Sequence, residues 1–107
     1  RLKDLIISGG FNVYPKEIED VINSIDGIKE NAVIGVPHKD LGESVLSIII
    51  KEESIQINSK KISEILTKKL AKYKCPKGYI FVNSFPRNSL GKILKNKLRE
   101  EYKNYFK

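Results

Sequence analysis

The 107-residue sequence has no Met and no Trp, one His and one Cys, and its uninterrupted apolar stretches are short, mostly triplets such as Leu5 to Ile7 and Ile48 to Ile50. Each scarcity excludes something. A lone Cys75 cannot close an internal disulfide, and one thiol plus one imidazole offers too few nitrogen and sulfur ligands for a zinc site. Apolar triplets fall far short of the 18 or more residues a membrane-spanning helix needs, so a soluble, cytoplasmic protein is expected. With no Met anywhere and Arg at its first position, the chain is expected to be a piece of a longer protein. Its length allows one core and not two, since a domain of this size buries roughly two-thirds of its unfolded surface.

Negative charge is scarce in one half only. Residues 1–53 hold six Lys/Arg against ten Asp/Glu, net −4, whereas residues 54–107 hold fourteen against three, net +11, for a total of +7. The basic half suits an anion, whether a phosphate-rich small molecule, a nucleic acid or an acidic surface. The same lysines also fit a plainer role as the solvated faces of amphipathic helices. A nucleic-acid-binding domain is the reading from another class, but neither the aromatic-and-basic strand motif of RNA-recognition sheets nor a helix-turn-helix pattern is present.

Periodicity predicts an α+β domain, a small β-sheet with helices packed on it and a short N-terminal hairpin. Leu5 to Ile7 reads as a strand stopped by Ser8-Gly9-Gly10, and Asn12 to Tyr14 resumes extended chain. Pro15 suits the first turn of a helix, Glu17, Glu19 and Asp20 complement its positive end, and Ile18, Val21, Ile22 and Ile25 share one face. Gly27 fits its C-terminal cap. Ala32 to Val36 and Val45 to Ile50 are β-branched runs that should pair across the loop 37–43, both buried. A second helix should start near Asn58 or Ser59, carry Ile62, Ile65, Leu66, Leu70 and Tyr73 on one face and Lys60, Lys61, Lys68 and Lys72 on the other, and end before Pro76. Tyr79 to Val82 reads as a strand, Pro86 to Gly91 as a polar loop, and Leu94, Leu98 and Tyr102 as the stripe of a closing helix.

Three glycine-punctuated loops hold the chemistry-bearing residues. Ser8-Gly9-Gly10 is either an ordinary turn or a place where a ligand can lie against backbone. Leu41-Gly42-Glu43 is either a strand connection or a second such place. Pro86-Arg87-Asn88-Ser89-Leu90-Gly91-Lys92 sets an ammonium directly after a flexible glycine, either as a solvated lysine at a helix start or as a compact charge that reaches an anion. Cys75, between Lys74 and Lys77, is either a low-pKa thiol or an unreactive loop cysteine. His38 reads as a structural loop residue more than as a base.

Taken in order, these segments carry a resemblance. Arg-x-Lys-Asp-x-Ile-x-x-Gly-Gly-x-Asn-Val-x-Pro-x-Glu-Ile-Glu over Arg1 to Glu19, Ala-Val-Ile-Gly-Val-Pro-His over 32–38, Leu-Gly-Glu over 41–43, Tyr-Lys-x-Pro-Lys over 73–77 and Pro-Arg-Asn-x-x-Gly-Lys over 86–92 resemble the mobile C-terminal domain of adenylate-forming enzymes, specifically the acyl-CoA synthetases. The resemblance implies that residues 1–107 are a single lid domain whose large N-terminal adenylation domain precedes Arg1. It implies a two-step reaction, in which a carboxylic acid and ATP give an acyl-adenylate and CoA then forms the thioester, with ATP, CoA and Mg²⁺ used by the full-length enzyme. Within the family a carrier-protein thiol or oxygen is the alternative acceptor.

By the same resemblance, Lys92 is the catalytic lysine that bridges the carboxylate and the α-phosphate, and Arg1 contacts the nucleotide ribose. Lys3, with Asp4 beside it, is the hinge. Gly9 and Gly10 line the passage for the thiol arm of CoA, and Tyr73, Cys75 and Lys77 lie near its nucleotide end, with Lys77 on a phosphate. Two positions depart from relatives, Cys75 standing where some aryl-CoA ligases have arginine and Leu41 where an aromatic residue can stack on adenine. The acid pocket, the ATP loop and the magnesium ligands are implied to lie in the preceding domain, so the isolated chain is expected to be inactive and the identity of the acid is not readable here.

Overall fold

The computed structural model describes residues 4–106. In chain order the elements are β1 (Ile6–Ser8), β2 (Phe11–Val13), α1 (Pro15–Asn23), β3 (Ile28–His38), β4 (Gly42–Lys51), α2 (Ser59–Lys69), a short 3₁₀ turn (Lys72–Lys74), β5 (Gly78–Phe81) and α3 (Lys95–Glu101). The α+β expectation holds. One five-stranded sheet runs β2-β1-β4-β3, and β5 joins β4 in parallel while the other pairings are antiparallel.

The β3–β4 hairpin is its spine. Every residue from Asn31 to Val36 and from Ser44 to Ile50 is buried, because apolar side chains project from both faces. Val33, Val45 and Ile49 face Ile18 and Ile22 of α1 and Ile62 and Leu66 of α2; the alternating Ala32, Ile34, Val36, Leu46, Ile48 and Ile50 face Phe85 and Leu98. This is the period-2 alternation of a strand with a helical layer on each side, which explains why the two runs are apolar at every position but Gly35 and the buried Ser47.

Local chemistry sets the ends of the elements. Gly9 and Gly10 have φ of 57° and 87°, the two left-handed positions of a type I′ hairpin turn, which glycine takes most readily and Asn next. Pro15 opens α1 as predicted, and the Asn58 side chain caps α2 by accepting the Lys61 N–H at 2.9 Å, one of the orphan donors of a helix start.

Several expectations need correction, among them β2 and β5, which each begin one residue earlier than predicted. The first strand is Ile6–Ser8, one residue later than predicted. Ser24 caps α1, and Gly27, at φ 102°, makes the turn into β3 instead. The loop expected over 37–43 shrinks to 39–41, since Pro37 pairs with Glu43 and His38 with Gly42; β3 is an edge strand, where a residue without an N–H is tolerated. Tyr73 leaves the α2 stripe, because the helix stops at Lys69 and the 3₁₀ turn sets the ring on the surface.

Gly35 lets the N-terminal hairpin approach this spine closely. A Cβ there would stand 2.9 and 3.0 Å from Cγ1 and Cγ2 of Ile6, which is fully buried and cannot retreat. Gly35→Ala is therefore expected to cost about 1–3 kcal/mol by overpacking in urea unfolding of the chain, and Ala32→Gly, a small change of the opposite kind, to leave the β1–β2 hairpin in place by amide exchange.

Candidate functional site

The loop from Pro86 to Leu94 is held by its own backbone. Arg87 and Ile93 form an antiparallel bridge, Leu94 N–H donates to the Pro86 carbonyl at 2.8 Å, and Asn88 N–H donates to the Lys92 carbonyl at 3.0 Å. The Asn88 side-chain oxygen accepts the N–H groups of both Leu90 and Lys92, at 2.9 and 3.0 Å. Arg87 donates to the Gly91 carbonyl at 2.9 Å and pairs with Glu30 on β3. The Lys92 backbone is thus pinned on both sides, whereas its exposed ammonium has no hydrogen-bond or ion-pair partner among the described residues. An open depression of about 760 Å³ beside it is lined by Asp4, Glu19, Asn31, Lys92, Lys95 and Arg99, among others.

Asp4 sits at the start of the described chain with φ 68°, a left-handed position that Asp tolerates better than most residues. Its carboxylate pairs with Arg99 and lies 3.9 Å from the Lys95 ammonium, which is 2.7 Å from Glu19. Glu19 also accepts the Val33 N–H at 2.8 Å. The segment leading into β1 is therefore fastened to α3, the helix that follows Lys92. Arg1 and Lys3, the expected ribose contact and hinge, lie outside the described residues.

At the other end of the spine, the structure gathers Gly9, Gly10 and Tyr73. Phe11, next to Gly10, stacks on Tyr73 with ring centroids 4.7 Å apart, and both rings are exposed. Lys77 is anchored by its N–H to the Val45 carbonyl at 2.8 Å and its side chain projects to solvent. Lys74 is engaged with Glu17 at 3.0 Å, and that carboxylate holds its pKa above the ordinary lysine value. Cys75 does not share this surface. Its side chain is buried, with Sγ 3.6 Å from the Ala71 carbonyl oxygen, and burial pushes the thiol pKa up against a smaller downward pull from Lys77. Burial of the sulfur and the raised pKa together favour the unreactive loop cysteine over the low-pKa thiol.

These two groups of residues cannot meet. Gly9 hangs on Leu41 and Ser8 pairs with Gly42, at one end of β4, while Arg87 holds its loop to Glu30, paired with Ile50 at the other. Eight residues of strand at about 3.3 Å each put those anchors roughly 26 Å apart.

Residues 17–92 match the sequence pattern of the AMP-binding enzyme C-terminal domain, well over half of the chain. The chain belongs to that family. It is 49% identical over 102 residues to the long-chain-fatty-acid–CoA ligase FadD13 of Mycobacterium tuberculosis, covering 95% of this chain and 20% of that protein. The ATP-bound crystal structure of MatB from Rhodopseudomonas palustris superimposes with a TM-score of 0.97 at 50% identity, over 100% of this chain and 21% of the other. The Bacillus subtilis o-succinylbenzoate CoA synthetase, solved with its acyl-adenylate intermediate, superimposes with a TM-score of 0.86 at 33% identity, over 92% and 20%. The chain spans about a fifth of the length of the relatives it matches.

Within this AMP-binding enzyme C-terminal domain, sequence reasoning missed three contributors. Asn88 ties the lysine loop, and its place three residues before a glycine in a polar stretch is the usual signal of a side chain that mimics a turn. Phe11 completes the aromatic surface with Tyr73, a pairing 62 positions apart that no local pattern announces. Glu43 accepts the Ile7 N–H at 3.0 Å and so closes the hairpin edge. Among the described residues no helix is long and apolar enough to cross a membrane.

Cys75 offers a direct check on which face is which. With little thiolate present and its sulfur turned inward, it should react with iodoacetamide at pH 8 roughly tenfold or more slowly than free cysteine, and at the free rate in denaturant. Fast labelling of the folded chain would mean that the sulfur faces the aromatic surface.

Proposed function

We propose that the chain is the lid domain of an ATP-dependent acyl-CoA ligase, its adenylation domain preceding Arg1, and that it serves two half-reactions with two different ends. The observation that carries this is the separation of a partnerless, backbone-pinned lysine from a glycine-tipped turn beside an aromatic and basic surface. A single docked orientation cannot bring both to one reaction centre, whereas a rotation about the segment before β1 presents them in turn. Support comes from relatives whose names describe ligation of carboxylic acids to CoA and whose structures contain ATP and an acyl-adenylate.

In the first orientation Lys92 meets the reacting groups. As a carboxylate oxygen attacks the α-phosphorus of ATP and pyrophosphate departs, negative charge crowds around phosphorus, and an ammonium already stripped of protein partners offsets it without first breaking an ion pair. The pinned loop delivers the charge at a fixed place. Arg1 stands to hold the nucleotide ribose, and Lys3 with Asp4 to supply the pivot, Asp4 being clasped to α3 so that the helix after Lys92 moves with it.

In the second orientation Gly9 and Gly10 face the adenylate. Two residues without side chains leave room for a narrow thiol arm to lie along backbone, and the CoA sulfur attacks the acyl carbon as AMP leaves. Exposed Tyr73 and Lys77 stand where an adenine ring and a phosphate would lie, with Cys75 contributing backbone alone.

The full-length enzyme tests both halves. Lys92→Ala should lower acid-dependent ATP–pyrophosphate exchange about 10²- to 10³-fold, as loss of one preorganised charge does, while CoA attack on supplied acyl-adenylate persists; an unchanged exchange rate removes Lys92 from the mechanism. Gly10→Leu should spare exchange and block thioester formation. Gly10→Asn, which accepts the left-handed backbone, separates obstruction from strain: it too should impair the thioester step. Equal loss of both half-reactions would refute the passage at Gly9-Gly10.

A further inference from the structure

The β1–β2 hairpin is short, and what steadies its tip is not its own ladder. Only Ser8 pairs with β4, at Gly42. Beyond that, the Gly9 N–H donates to the Leu41 carbonyl at 2.9 Å, and the Leu41 side chain lies 3.1 Å from where a Gly9 Cβ would stand. The position of Gly9 is therefore the position of the 39–41 turn.

That turn is in its own right held by one side chain. His38 Nδ1 accepts the N–H of Asp40 at 3.1 Å and of Leu41 at 3.2 Å. An imidazole nitrogen that accepts two N–H groups carries its lone pair there and its proton on Nε2. The ring is steadied from behind by Phe106, with centroids 5.4 Å apart, and Phe106 packs against the Phe85 and Leu98 side of the core. A continuous line of contacts thus runs from the C-terminal tail through His38 and Leu41 to Gly9.

We propose that His38 is a positioning residue for thioester formation: by tying the 39–41 turn it sets where Gly9-Gly10 stands in the path of the incoming thiol. The proposal rests on the reading of Gly9-Gly10 given above and adds a determinant that never touches substrate. It requires an acceptor at the Nδ1 position and nothing else of the imidazole. Asn places its Oδ1 on the same branch as His Nδ1, and Leu places a methyl there, so His38→Asn and His38→Leu differ in the acceptor while both forfeit the ring against Phe106.

Three measurements on the full-length enzyme test this. In His38→Leu the Gly9 amide should exchange faster, and thioester formation from supplied acyl-adenylate should fall roughly 10- to 100-fold, the loss a displacement of about 1 Å produces, with ATP–pyrophosphate exchange unchanged. The fall should appear in kcat for the CoA step, with any rise in the KM for CoA reporting displacement of Leu41, which lies in the same turn. In His38→Asn the Gly9 amide exchange and the thioester rate should both return towards the parent. If His38→Asn is as impaired as His38→Leu, the ring is packing and the proposal is overturned. It is overturned equally if His38→Leu forms thioester at the parent rate while Gly10→Leu is blocked, a result that leaves the passage reading standing. If Gly10→Leu also forms thioester normally, that reading fails and takes the role of His38 with it.

Discussion

A hairpin buried on both faces is the constraint from which the rest follows. Because β3 and β4 carry apolar side chains on both faces of their central runs, interrupted by Gly35 and Ser47, both faces must be covered, α1 and α2 on one and Phe85, α3 and the tail on the other. Such a hairpin gains stability but loses a safeguard. In a strand with one wet face, a one-residue slip drives the apolar set into water; here it would exchange one apolar set for another, so the pattern alone specifies register weakly. Register must come from features that are not hydrophobic. Gly42, at φ 81°, and the two hydrogen bonds to His38 fix the turn, and Gly35, having no Cβ, leaves room for Ile6, which a Cβ there would meet at 2.9 Å. The residues that settle the pairing are thus the same ones that settle where the N-terminal hairpin stands.

The two functional ends share a further principle. Each presents a group with freedom at its tip and none at its base. Around Lys92 the backbone is crossed by a bridge, an Asn88 knot and an Arg87 brace, and the ammonium is left without a partner. Around Gly9 the turn is tied to Leu41, and the tip carries no side chain at all. The basic surface sorts the same way: Lys74 is spent on Glu17 and Lys95 on Glu19, whereas among the described residues Lys77 and Lys92 have no ion-pair partner. These partly buried pairings thus decide which cations stay available.

Legibility in the sequence followed the range of the physics. Pro15, the 3.6-residue stripe of α1, the Asn58 cap and the continuous β-branched runs are local signals, and each element formed where they pointed. The misreadings were cases where a distant contact outvoted a local one. Gly27 looked like a helix cap, yet Ser24 ends the helix and Gly27 turns the chain so that Ile28 can pair with Lys51. Pro37 looked like a strand breaker, but an edge strand has no second ladder to lose. Tyr73 fitted a helical stripe by spacing and was drawn off it by the 3₁₀ turn that stacks it on Phe11. Site residues were legible as residue types in glycine loops, and their grouping into two distant ends was not, because that grouping depends on the parallel return of β5 along β4.

That parallel return is what separates the two ends. An antiparallel β5 would have carried the chain back towards Gly42 and set the lysine loop beside Gly9-Gly10. Running parallel from Leu46 to Ile49, β5 instead releases the chain near Ile50, where Arg87 finds Glu30. Helix α3 then crosses back over the sheet and ends the journey at Asp4, through Arg99 and Lys95. One reversal of strand direction therefore sets the lysine loop and the Gly9-Gly10 turn at opposite ends of the spine, with the segment before β1 clamped to α3 between them, the geometry the proposed rotation would use.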